Sequence, residues 1–502
     1  MLAVVIGSGI VLLDSTVVNV ALPAISKELP GHFVRGFEAQ SFVYNGYLLA
    51  LSALLILAGA LSDFHGRRKV FLVGLVGFGF TSLLCGLAPN MESLIAFRVL
   101  QGAMGALLVP GSLSIIRASF DGESQGRAFG IWAGASGATT VLGPLIGGLL
   151  VDSVSWRAVF LMNVPLVMLG FYATQRYVSE SHDELATSNF DWLGAFVIAL
   201  AVGGLAFGAI RGQEHHWSDV AARVSLGIGT AAAIAFPFLM KHRANPLVPL
   251  ELFRSRNFSV TNMSTFVIYG ALYGTFYTQA IFVQGTLRYS AAAAGLSTMP
   301  AFLLLVFFST RFGKLATRFG PRIFMTIGPA IMGAGVLWFS RIPASSAAWN
   351  LDTANLSSFI PPQSFMVDIF PAFMVFGIGL VMLVTPLTTA LMNSLPGEHA
   401  GVASAVNNAI SRVGPQLAGA IIFVAITASF YKGLAQRLPD IDTSSETVRR
   451  ALPPLNAPRG VPENQVQAAR VASTEAFRLS SLLSSGLLFA GAAINGLGIK
   501  NP

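Results

Sequence analysis

GALSDFHGRRK, residues 59–69, and GKLATRFGPRI, residues 313–323, place Gly, Leu, Gly and Arg at the same offsets. Each stretch follows one apolar run and precedes another. Two more echoes keep the same order along the chain: GESQG (122–126) with GEHAG (397–401), and GPLIGG (143–148) with GPQLAG (414–419). Three echoes in one order read as a duplicated unit. Duplicated halves with a binding site at their interface are the plan of secondary transporters, which rock one half against the other.

Composition fixes the environment of those halves. Of 502 residues, 54% are hydrophobic and only 11% are charged, whereas a soluble domain carries roughly 25% charged residues. Fourteen apolar runs have the length of a membrane-crossing helix, near 2–22, 43–61, 70–88, 93–116, 128–150, 157–175, 192–210, 222–240, 259–283, 293–310, 321–340, 368–390, 402–428 and 477–497. The fold class is therefore an all-α polytopic membrane protein. The echoes relate runs 2–5 to runs 10–13. That divides the chain into a six-helix half at 1–176, an inserted pair at 191–240, and a second six-helix half at 258–497 with a long loop at 431–476. The first run carries Asp14 and lacks a basic leader, so it reads as a mature helix and not a signal peptide.

The net charge of +8 does not point to nucleic acid, because the cations sit in short loops between apolar runs. With the N-terminus inside, the inner short loops hold fourteen Lys and Arg and the outer ones seven. This bias places both termini in the cytoplasm and the 431–476 loop outside. Cys85 is the single cysteine, so no internal disulfide is expected. The seven histidines (32, 65, 182, 215, 216, 242 and 399) read as loop residues, and no metal site is expected. There is no phosphate-binding loop pattern, so ATP hydrolysis is not expected of this chain.

Chemistry is expected where polar groups interrupt apolar runs. Arg98 lies within FRVLQGAMGALLVPGSLSII (97–116), where a guanidinium at the bilayer centre costs roughly 2.5–3.5 kcal/mol. Asp14 is the only carboxylate of the first run. The two lie at similar distances from the outer ends of their runs, so they can form either a proton-coupling pair or a purely structural one. Arg412, in SRVGPQLAG, is the matching oddity of the second half, with Asn407 and Asn408 one turn away. It serves cargo or it holds helices together. Asn19, Gln101, Tyr269, Tyr273, Tyr277 and Gln279 are candidates for a cargo cavity, the three tyrosines sharing one helix face at i, i+4, i+8. In GPLIGG, Pro144 lacks a donor, while Gly143, Gly147 and Gly148 admit a close backbone. Gly126, Gly130 and Gly134 add a further small-residue face.

Taken together, these motifs resemble the major facilitator superfamily, and within it the fourteen-helix drug:proton antiporter branch of the EmrB/QacA type. The resemblance covers essentially the whole chain. It rests on LDSTVVNVALP (13–23), GALSDFHGRRK, RVLQGAMGA (98–106), GPLIGG, WRAVFLMNVP (156–165) and PLVPLELFRSRNF (246–258). Phe64 departs from the pattern, standing where the family's loop motif usually has a basic residue. The resemblance implies a cytoplasmic latch formed by Asp63, Gly66, Arg67 and Arg68. It marks GPLIGG as an exporter's motif.

The reading is a non-enzymatic, proton-driven exporter of lipophilic or cationic compounds in the cytoplasmic membrane, with no cofactor beyond the proton gradient. Its partners are small-molecule cargo and the lipid bilayer; neither a periplasmic adaptor nor an oligomeric state is written in the sequence. A dedicated exporter of one metabolite, lipid or peptide is the nearest alternative. A non-transporting receptor or scaffold is a further one, to which an Asp14–Arg98 pair and an intact GPLIGG would be superfluous.

Overall fold

A backbone in hydrocarbon must satisfy its own N–H and C=O groups, so apolar runs of this length form helices. The computed structural model describes residues 1–30, 36–181, 190–214, 219–351, 355–394, 400–456, 458 and 460–501. Among them no strand occurs. The helices are α1 (Leu2–Glu28), α2 (Gly36–His65), α3 (Arg67–Gly86), α4 (Met91–Ala106), α5 (Leu108–Ser119), α6 (Gly122–Ser153), α7 (Trp156–Leu161), α8 (Asn163–Tyr177), α9 (Trp192–Glu214) and α10 (Val220–His242). They continue with α11 (Arg256–Gly285), α12 (Ala291–Phe319), α13 (Pro321–Phe339), α14 (Phe370–Asn393), α15 (Ala400–Arg437), α16 (Glu446–Ala451) and α17 (Glu463–Gly498). Thirteen segments among the described residues are long and apolar enough to cross a membrane. The 32-residue α6 adds a fourteenth by length.

Two apolar runs are broken, and by the same cause. A proline has no N–H to offer the carbonyl four residues earlier. Pro110 thereby ends α4 at Ala106, and Pro165 ends α7 at Leu161. Other helices outrun their apolar cores: α1 continues from Leu22 to Glu28, α15 reaches Arg437, and α17 begins at Glu463. The expected 431–476 loop is therefore largely helical at both ends. Its distance from Arg67–Lys69 is nevertheless a full helix length, since α15 and α17 carry it to the other side of the molecule.

The side carrying Gly66–Lys69 is called here the near face, the other the far face. α2 packs on α15, and α6 on α12. The pair α9–α10 is joined through Gly204 and Gly229, with Ser225 Oγ donating to the Gly204 carbonyl at 3.1 Å. Arg211 and Asp219 pair at its tip, and Arg243 and Asp191 at its base. α9 rests on both α2 and α15. Of the histidines, His65 and His242 are the last residues of α2 and α10, not loop residues. The other five lie outside the described residues, as does Arg35.

Candidate functional site

Asp14 and Arg98 meet. Arg98 Nη1 donates to Asp14 Oδ2 at 2.5 Å, and both side chains are fully buried. The other carboxylate oxygen accepts from Gln101 Nε2 at 3.1 Å and from Asn163 Nδ2 at 2.9 Å. Ser82 Oγ accepts from both amides and donates to the Phe160 carbonyl. Arg98 also donates to Gln101 Oε1 at 2.7 Å and, through Nε, to the Val43 carbonyl at 3.2 Å. Its guanidinium carbon lies 4.1 Å from the centre of the Tyr47 ring, whose hydroxyl donates to the Val11 carbonyl. Five helices (α1, α2, α3, α4 and α8) thus converge on one carboxylate. A buried pair is tolerated when most of its remaining lone pairs and protons are answered; here Arg98 Nη2 and Asn163 Oδ1 are the buried atoms of the network left without a hydrogen-bond partner among the described residues.

The network is sealed, which alters the expectation for its members. Neither Asp14 nor Arg98 faces open space. Gln101, expected in a cargo cavity, is fully buried and bonded to Asp14. Gln279 is likewise buried, its amide donating to Ser297 Oγ at 3.4 Å. Neither glutamine offers surface to a ligand in this conformation. Asn19 is exposed, Tyr269 is half-buried, and Tyr273 and Tyr277 are each more than half exposed. Asn163 and Ser82 were not singled out from the sequence. Only their polarity inside apolar runs marks them. Asn407 and Asn408 do not answer Arg412: Asn407 donates to Asn262 and Thr265, and Asn408 to Ser404.

A second constellation joins α2 to α15 at the near face. Asp63 Oδ1 accepts from the Gly401 N–H at 3.1 Å, and Oδ2 from the Val402 N–H at 2.9 Å. A carboxylate at the first turn of α15 suits both the free N–H groups and the helix dipole. Arg67 fixes that carboxylate from its own side, donating through Nε and Nη2, each at 3.1 Å. Gly59 lets α15 approach: a Cβ there would strike the Gly401 carbonyl and Ala405. Gly66 turns the chain at φ +106°. Arg68 stays within its own group, donating to the Gln175 carbonyl at 2.8 Å. Phe64, the departure from the family pattern, packs edge-on against Phe190, 5.6 Å between ring centres.

The two sets of glycines pack against different helices. Gly143 and Gly147 of GPLIGG lie against Thr16 and Val17 of α1, while Gly148 has open space beside it. The side chain of Pro144 lies outside the described residues. Gly126, Gly130 and Gly134 instead face α12, against Gly313, Thr310 and Ser309, and Ser309 Oγ donates to the Gly130 carbonyl at 2.8 Å. The seam between the helix groups is built on this second set.

Fold and site define a multi-pass, all-helical secondary transporter with an ion pair buried among α1–α4 and α8. The chain belongs to the Major Facilitator Superfamily, whose family model matches residues 4–419. It is 32% identical to the tetracenomycin C resistance and export protein of Streptomyces glaucescens, over 85% of this chain and 76% of that protein. With the methylenomycin A resistance protein of Bacillus subtilis it shares 30% identity, over 84% and 86%. The human organic anion transporter MFSD10 shares the fold, with a TM-score of 0.60 at 12% identity over 98% of each chain.

Proposed function

We propose that this protein is a proton-coupled exporter of the fourteen-helix drug:proton antiporter branch. It moves lipophilic small molecules out across the cytoplasmic membrane by alternating access, with both termini in the cytoplasm. Residues 1–176 and 258–497 are the rocking halves, and 191–240 the inserted pair. The near face is then cytoplasmic, and the described contacts between the halves through Asp63, Gly59 and Gly126 correspond to a conformation closed on that side. Its relatives' names, which concern resistance and export, support the direction of transport.

The buried Asp14–Arg98 network carries this reading. Protonating Asp14 removes the charge that answers Arg98 and one acceptor from Gln101 and Asn163. The packing of five helices therefore depends on the proton, which is what coupling requires. Cargo that disturbs the same helices competes with that proton. Asp63 and Arg67 act as the latch, and Gly143 and Gly147 hold α6 to α1 while α6 moves against α12.

The test is proton release from purified protein on addition of a transported compound, with Asp14→Asn beside the wild type. The variant should lose release and gradient-driven export while still inserting in the membrane. Wild-type release from Asp14→Asn would place the carrier elsewhere. A panel of chemically unrelated compounds separates multidrug export from dedicated export, which the single-compound names of two relatives favour.

A further inference from the structure

Two guanidiniums lie deep in the helices, and their surroundings are opposite. Arg98 has a carboxylate, two carbonyl-type acceptors and an aromatic face. Arg412 is half-buried about 18 Å along α15 from Ala400 and makes neither a hydrogen bond nor an ion pair among the described residues. Asp14 is committed to Arg98, and Asp63 to Arg67 and the first turn of α15. α15 packs on α2, which carries Tyr44 and Tyr47, and on α11, which carries Tyr269 and Tyr273. Tyr273 and Tyr269 are 6.3 Å apart between ring centres, and Tyr273 is half open. A cation with no counter-ion among the described residues thus lies on a helix packed against the two helices that carry these rings.

We propose that Arg412, with Tyr44 and Tyr273, is a recognition subsite for the negative group of an aromatic organic anion, a carboxylate above all. This rests on the transport reading and replaces its expectation of cationic cargo. A guanidinium presents a planar fork that matches a carboxylate with two parallel hydrogen bonds. The tyrosines supply flat apolar surface with polar tips for the attached ring. Leaving a half-desolvated cation unanswered is costly, and an anionic guest removes that cost. A cationic guest adds repulsion at the same place. Tyr47 does not touch the guest in this arrangement, since its ring is stacked on Arg98 and its hydroxyl is bonded to Val11. It divides the sealed pair from the open subsite.

The probes are 1-naphthoate, neutral 1-naphthamide and cationic 1-naphthylmethylammonium, titrated into the full chain in lipid nanodiscs, with empty nanodiscs as the blank. The wild type should bind the carboxylate about ten-fold more tightly than the amide, and the ammonium least. Arg412→Gln should bring the carboxylate down to the amide's affinity and leave the amide unchanged, while Arg412→Lys should keep part of the preference. Equal binding of the three probes, equal loss of all three in Arg412→Gln, or no charge-dependent binding up to about 1 mM would each overturn the proposal. Asp14→Asn separates the two readings: it should keep the carboxylate preference whether or not proton release is lost.

Discussion

The α2–α3 junction and the α12–α13 junction are two copies of one device, and they differ chiefly in one buried charge. In both, a glycine turns the chain in the left-handed region, Gly66 at φ +106° and Gly320 at +81°. In both, a side chain then caps the following helix: Glu180 accepts from the Arg68 and Lys69 N–H groups, and Asn501 from the Arg322 N–H. Arg68 and Arg322 each donate to a carbonyl near the end of a distant helix, Gln175 and Gly496. Seven residues before each turn glycine, the device reaches across to a further helix, α15 in the first copy and α6 in the second. There Gly59 faces Gly401, and Gly313 faces Gly126. The first copy adds Asp63, fixed by Arg67, on the N–H groups of α15. The second has Thr317 and Pro321 at those positions, and Thr317 Oγ1 donates to its own helix at Lys314. Residues held in common build the seam. The charge kept in one copy makes only that side responsive to what happens at a helix N-terminus.

If that difference matters, the largest effect belongs to Asp63→Ala. It removes the buried carboxylate partner of Arg67 and the acceptor of two N–H groups of α15, a loss of about 3–5 kcal/mol from the closed conformation. Thr317→Ala should cost under about 1 kcal/mol. Spin labels at Ser124 and Arg318, read as distance distributions on a Cys85→Ser background, report how far the near face has opened. Similar opening in both variants would erase the asymmetry.

A smaller effect should be shared by both copies. Gly59→Leu and Gly126→Leu each force bulk against a backbone carbonyl across the seam, costing about 1–3 kcal/mol of overpacking. Both should open the near face and slow transport while the protein still inserts. A variant that stays closed would show that its glycine pair is not a working contact.

The smallest effect concerns the exposed pair beside the second seam. Lys314 Nζ lies 2.9 Å from Glu123 and, by hydrogen bond and charge, holds that carboxyl below its ordinary value of 4.5. The pair is therefore intact at neutral pH and above that ordinary value, and it is lost as the pH falls through the depressed one. Glu123→Gln should remove this acid-side step from the distance distributions and shift the neutral-pH population by less than about two-fold. A larger shift would make the bridge a second latch.

Much of this arrangement was legible before any coordinates. Asp14 and Arg98 stand out because charge inside an apolar run has few innocent explanations, and the echo of 59–69 in 313–323 locates both junctions. The amides were harder. Gln101, Gln279 and Asn163 have the same signature in a sequence whether they line a cavity or complete a buried network, since only neighbours on other helices decide it. Helix ends were harder still, because α1 runs on through Pro23 to Glu28, where polar residues at the membrane margin cost a helix little. The breaks at Leu107 and Met162 follow from Pro110 and Pro165 at one fixed offset, a signal present in the chain but outweighed by unbroken hydrophobicity. The partner helices of the GPLIGG glycines and of Gly126, Gly130 and Gly134 were hidden for a similar reason: small-residue faces look alike until their neighbours are known.

The complete mutual neutralisation of Asp14 and Arg98 has an electrical consequence. An ion pair carries no net charge, so a helix group that swings with the pair intact does no work against the membrane potential at that site. Under the proposed coupling, a proton on Asp14 leaves Arg98 as a net unit charge. Only that stroke then feels the field, at about 2.3 kcal/mol per 100 mV for a full crossing and proportionally less for a partial one. One buried pair would so make the proton-carrying stroke voltage-dependent at that site and add no voltage dependence to the stroke made with the pair intact.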